Sequence, residues 1–272
     1  SLAQNKYPIV LIHGFFGWGN DEMGDYRYWG GKKDLQKTLE ESGFEVINVS
    51  IGPISSNWDR AIEVYYQLKG GQVDYGANHS GEYGLIQKPS DKIYEGLYPK
   101  WDSNNPVHLV GHSMGGQTAR MLQYLLENEF YINDTLNLKE DSDLLSTSLK
   151  GWISSITSLA TPHNGTTLAD IVTKTFPFIQ YFIGVAGVVG TNFYDFDVSQ
   201  WSVNRKFDEN WYRYVQRMRS NKAWHTKNIS SWDLSLDGAA EINSILKASP
   251  DIYYFSYSFS ATKKDELTGY HI

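Results

Sequence analysis

The residues of this chain best placed to do chemistry stand in Gly111-His112-Ser113-Met114-Gly115. A serine hydroxyl is a weak nucleophile until it is held out of the chain's way and beside a base, and Gly-x-Ser-x-Gly is a spacing that holds it so. Before it, Val107-His108-Leu109-Val110 is a short apolar run that reads as a strand. After it, Ala119, Leu122, Leu125 and Leu126 recur at helical spacing, so one helix face would meet the sheet. Strand, sharp turn and helix together form a nucleophile elbow. Gly111 and Gly115 lack a Cβ, which lets strand and helix approach closely around a strained serine. Ser113 is the expected nucleophile.

Attack on a carbonyl leaves a developing oxyanion, which needs fixed donors. Tyr7-Pro8-Ile9-Val10-Leu11-Ile12 reads as a buried strand and runs into His13-Gly14-Phe15-Phe16-Gly17. A His-Gly segment after an early strand, paired with an elbow downstream, supplies one backbone N–H; the residue after the serine supplies the other. The expected donors are therefore the amides of Phe15 and Met114. A tight strand-to-helix turn would explain His-Gly alone, but not its pairing with the elbow.

The remaining chain must position these groups. Lys33 to Glu41 reads as a helix closed by Gly43, and Phe44 to Val49 as a strand. Ser56 or Asn57 caps a helix with Ala61, Tyr65 and Leu68 on one face, stopped by Gly70-Gly71. Val73 to Tyr98 has no clean period and reads as an insertion packed on the core. Asp59 and His79 in this neighbourhood are of metal-ligand type, although such a pair is more often structural. Asn128 to Leu149 reads as a loop with weak helix, and Trp152 to Leu159 as a strand. His163 just beyond it reads as a structural or pocket-wall histidine. Phe176 to Val189 is the most apolar run, either a buried helix or a lid opening onto lipid. Phe207 to Ser220 reads as a charged surface helix, a further helix runs through Ala239, Ile242 and Leu246, and Asp251 to Phe259 is a last strand. Strands alternating with helices predict an α/β fold with a mostly parallel sheet.

Bulk properties narrow the function. A chain of 272 residues suits one α/β domain with a sizeable core. A net charge of −7 argues against nucleic acid or an anionic membrane as electrostatic partner. There is no cysteine, which excludes disulfides, thiolate catalysis and a cysteine-based zinc site. No apolar run reaches transmembrane length.

The stretches PIVLIHGFFGWGNDEM, YRYWGGKKD, GPISSNWDRA, VDYGANH, GHSMGGQTARML, LATPHNGTTL, YDFDVSQW and WDLSLDGAAEIN, in this order across essentially the whole chain, resemble the staphylococcal and thermophilic-bacillus lipases. That family is the zinc-containing bacterial branch of the α/β-hydrolases. The resemblance implies a single α/β-hydrolase domain over residues 1–272, with a metal-site insertion near 70–100 and a helical lid near 168–200. It also implies secretion and hydrolysis of acylglycerol esters at a lipid interface. Carried over residue by residue, the nucleophile falls on Ser113, the oxyanion donors on Phe15 and Met114, and zinc ligands on Asp59, His79 and Asp233. The family's second zinc histidine aligns with Leu85, which cannot bind metal. Its triad acid, triad histidine and calcium site come from a segment C-terminal to Ile272, so the expectation is a fragment, or a chain that has lost its triad; His271 belongs to no motif. A non-catalytic lipid-binding relative, or a phospholipase or acyltransferase on the same scaffold, are the alternative functions.

Overall fold

The structure, a computed structural model, describes residues 6–20, 23, 25–167, 197, 199–202, 208–219, 221 and 226–260. Strand β1 (Ile9–Ile12) leads through α1 (Leu35–Glu41) to β2 (Val46–Val49), and α2 (Asn57–Lys69) follows. A small antiparallel pair, β3 (Gly71–Gln72) and β4 (Ile93–Tyr94), brackets α3 (Ala77–Tyr83). Then come β5 (Val107–His112), α4 (Met114–Glu127), the pair β6 (Tyr131–Asn133) and β7 (Leu138–Lys139), and β8 (Ile153–Leu159). Helices α5 (Trp211–Arg219), α6 (Ser230–Asp233) and α7 (Leu236–Ile245) precede β9 (Tyr253–Tyr257).

The central sheet has the order β2-β1-β5-β8-β9, and every neighbouring pair is parallel. From β1 the chain steps outward to β2, then returns across β1 to lay β5 on its other side. The strand order therefore reverses between β1 and β5. In an open α/β sheet the crevice at the C-terminal ends of such a pair is where ligands bind. Ile12 is in register with Gly111, so β1 and β5 end side by side there.

Burial explains why these segments fold. Val10, Ile12, Val49, Leu109 and Ile156 pack on one face against Ala61, Ile62 and Leu68 of α2 and Ala119, Leu122, Leu125 and Leu126 of α4. Each fully buried aliphatic side chain contributes roughly 1.5–3 kcal/mol of transfer free energy. Leu11, Trp29 and Val46 form the opposite layer, with Ile9, Val110 and Leu159 packed against them. Helix α2 is capped by Ser56, whose hydroxyl accepts the Asp59 N–H at 3.1 Å, and ends at Gly70 with φ 92°. The insertion seals α2 on its outer side: Val73 and Tyr75 are fully buried, so even Asp59, Arg60 and Glu63 of this helix are out of water.

The Asn128–Leu149 stretch differs from the expected weak helix. Its described elements are the β6–β7 hairpin, turned at Asn137 with φ 51° while Asn133 Oδ1 accepts the Leu136 N–H at 2.9 Å. Local side-chain-to-backbone bonding of this kind competes with helix. The apolar run Phe176–Val189 and His271 lie outside the described residues.

Candidate active site

Ser113 sits between the last residue of β5 and the first of α4, at φ 54° and ψ −126°. A positive φ strains an L-residue with a side chain, and such strain persists only where surroundings enforce it. The enforcement is visible. The Ser113 N–H donates to Leu159 O of β8 at 2.8 Å, and its carbonyl accepts Gly116 N–H at 3.2 Å. A Cβ on Gly115 would stand 2.2 Å from Ile12 O, so only glycine lets α4 lie this close to β1. The serine hydroxyl makes no cap bond to its own helix.

The loop after β1 lies against this serine: a Cβ on Gly14 would come within 2.9 Å of Ser113 Cβ. Every peptide of the loop is held. Gly14 N–H donates to Tyr28 Oη at 2.8 Å, and Phe16 N–H to Pro53 O at 3.0 Å. His13 Nδ1 donates to Gly14 O at 2.9 Å, while its Nε2 accepts Ile51 N–H at 3.2 Å. The two bonds together require the neutral tautomer with the proton on Nδ1. Burial first, and the Arg60 charge second, push the His13 pKa down to about 3, so the ring stays neutral. The peptide that carries the Phe15 N–H is thus fixed through its own carbonyl. Met114 opens α4, where the first backbone N–H groups have no partner within the helix. The Phe15 side chain packs on buried Met114.

Tyr28 also bridges to the elbow, with its hydroxyl 2.5 Å from His112 Nδ1. On its other side the same hydroxyl accepts the Gly14 N–H. Burial raises the Tyr28 pKa and lowers that of His112, which keeps both neutral.

The three expected metal-type residues come together on the far side of α2. His79 Nε2 is 2.9 Å from Asp59 Oδ1, and the ring stacks on Trp58 at 4.9 Å. Asp59 Oδ2 accepts Asn228 Nδ2–H at 2.8 Å, and Asp233 Oδ2 accepts Asn57 N–H at 2.5 Å. Burial, then the nearby Asp59 charge, push Asp233 up to about 7. Leu85 stands just past the α3 C-cap, with its N–H on Ser80 O at 2.9 Å. Among the described residues no group of three or more such side chains has an arrangement that would hold a metal ion. Asp59, His79 and Asp233 are three donor side chains, one fewer than a zinc site closed by protein ligands uses. His163 lines a cavity of about 240 Å³ with Arg120, Ser158 and Tyr254.

The chain matches the family model described as "Lipase-like, C-terminal domain" over residues 5–271. It belongs to that family. It is 39% identical over 270 residues to Lipase 1 of Staphylococcus aureus strain MRSA252, covering 96% of this chain and 39% of the relative. The chain thus spans about two fifths of the length of the staphylococcal relatives it matches. The crystal structure of Staphylococcus hyicus lipase superimposes with a TM-score of 0.90 at 37% identity, covering 99% of this chain and 70% of that one. EstA from Clostridium botulinum superimposes at 0.80 and 41% identity, covering 98% and 64%. The fold of this lipase-like domain is that of the α/β-hydrolases.

Three residues of the lipase-like domain bind the site together in a way that sequence reasoning did not assign. Tyr28 and Arg60 belong to no chemical motif, and His13 was legible only as half of His-Gly. The available signal was that Tyr28 and Arg60 fall within the stretches YRYWGGKKD and GPISSNWDRA that carry the family resemblance.

Proposed function

We propose that this domain carries the nucleophile and the oxyanion hole of a secreted serine lipase or carboxylesterase that cleaves acylglycerol esters. The observation that carries the reading is Ser113, strained at φ 54° at the end of β5 and directly against the loop that presents Phe15. Ser113 Oγ attacks the ester carbonyl and gives its proton to a histidine base. The carbonyl oxygen, now an anion, receives the Phe15 and Met114 N–H groups, which are fixed before the reaction and need no reorganisation. Collapse expels the alcohol, reprotonated by the same histidine, and leaves an acyl group on Ser113. Water then attacks the acyl carbonyl over the same two donors and releases the fatty acid.

The relatives named lipase and the esterase EstA support this substrate class. Among the described residues no helix is long and apolar enough to cross a membrane. The test is hydrolysis of emulsified long-chain triacylglycerol and of a soluble short-chain ester by the full-length protein. Ser113→Ala should reduce both to background; undiminished hydrolysis by the variant would contradict the reading.

A further inference from the structure

Arg60 is fully buried in α2, and its guanidinium faces three separate parts of the site. Nη2 donates to His13 O, at the base of the loop that presents Phe15. Nη1 donates to Gly52 O at 2.8 Å, in the loop whose next residue, Pro53, accepts the Phe16 N–H. Nε donates to Thr118 Oγ1 at 3.0 Å. Thr118 stands one turn along α4 from Met114; its hydroxyl lies 3.2 Å from Met114 O and 2.8 Å from Asn57 Oδ1. One planar, rigid fork therefore joins the β1 loop, the 50–53 loop and the first turn of the elbow helix.

From this geometry we infer that Arg60 is a positioning residue that sets the separation and aim of the Phe15 and Met114 amides. The inference rests on the reading of those amides as the oxyanion hole. Stability alone does not call for a cation here. Burying a guanidinium is costly, and an apolar side chain of like volume commonly serves packing as well. What an apolar side chain cannot do is hold a hydroxyl and two carbonyls at fixed angles, which the guanidinium's planar set of donors does. The held groups bear on both donors. His13 O belongs to the peptide immediately before the one that carries the Phe15 N–H, and Thr118 is anchored on the helix that begins with the Met114 N–H. Lysine, a single point donor on a flexible stem, cannot reproduce three divergent bonds.

The test uses the full-length protein with Arg60→Lys, Thr118→Val and the double variant, acting on a soluble short-chain ester. Active sites are counted by titration to completion with an alkyl fluorophosphonate, and kcat is expressed per titrated site. Displacing a donor from a developing oxyanion lowers the rate of the chemical step with little effect on ground-state binding, so Arg60→Lys should lose about tenfold or more in kcat with KM little changed. Thr118→Val should lose kcat in the same direction. The double variant should fall no further than the worse single one, because both cut one link. A purely structural role would reduce the number of titratable sites and leave kcat per site at the wild-type value; that result in both single variants overturns the proposal. Should Arg60→Lys fail to fold, Thr118→Val decides alone. Ser113→Ala separates the two levels: if it still hydrolyses the ester, the oxyanion reading itself has failed. If it is inactive while the Arg60 and Thr118 variants keep full kcat, only the positioning role has failed.

Discussion

Tyr28 Oη lies 2.5 Å from His112 Nδ1 and, on its other side, accepts the Gly14 N–H at 2.8 Å. One hydroxyl therefore ties the residue before the nucleophile to the residue before Phe15. Tyr28→Phe keeps the ring and removes both bonds, leaving the Gly14 N–H without its acceptor. An unsatisfied donor of this kind costs about 1–3 kcal/mol. We expect an unfolding free energy lower by that amount, read in a denaturant titration, and a fall in kcat with KM held. A variant matching wild type in both would show that the bridge positions nothing.

His13 gives the fold a defined pH dependence. Folded, its pKa is held at about 3; unfolded, it returns to the ordinary histidine value of about 6.5. Below the unfolded value the unfolded chain binds a proton that the folded chain refuses, so stability rises with pH across that window. The contribution is complete above the unfolded value and is lost progressively as pH falls toward 3, at about 1.4 kcal/mol per pH unit for one proton. Asp233, raised to about 7, works in the opposite sense: its contribution is present at low pH and lost as pH rises toward that value. Comparing wild type with His13→Asn cancels the Asp233 part. Urea midpoints measured in the acid range should fall more steeply for wild type than for the variant. Parallel profiles would mean that the buried ring titrates normally.

For the carboxylate–histidine cluster, zinc binding should be weak, since Leu85 stands where the family resemblance puts an imidazole. Leu85→His should raise the zinc retained after dialysis and the melting temperature in zinc. A ligand at a hundred times its Kd adds about 2.7 kcal/mol to the folded state. Stoichiometric, dialysis-resistant zinc in the unmodified protein would contradict this and point to another donor near Asp59.

The elbow was legible because it depends on local pattern: two glycines around a serine, an apolar strand before and a helical face after. The parallel sheet followed from the same periodicities, and the ends of α2 from Ser56 and Gly70. What stayed hidden are contacts between distant parts of the chain. Tyr28 meets His112 across 84 residues and Arg60 meets Thr118 across 58, and neither pairing leaves a periodic trace. The expected weak helix after Asn128 fails for a local reason, since Asn133 and Asn137 supply turn chemistry that outweighs it. The resemblance named Asp59, His79 and Asp233 together as metal-type residues, and their role as ligands is an expectation carried by that resemblance alone. Asn228 Nδ2 on Asp59, and the mutual Asp59–His79 contact, could be seen only in three dimensions.

The central claim is that Ser113 is an activated nucleophile, and covalent capture tests it most directly. The full-length protein is treated with an alkyl fluorophosphonate at neutral pH, digested, and the modified residue located by mass spectrometry. Attack by the serine oxygen on phosphorus expels fluoride and leaves one phosphonyl group per chain. We predict a single adduct, on Ser113, which disappears in Ser113→Ala. An adduct on a different residue, or labelling that persists unchanged in the alanine variant, would contradict the account.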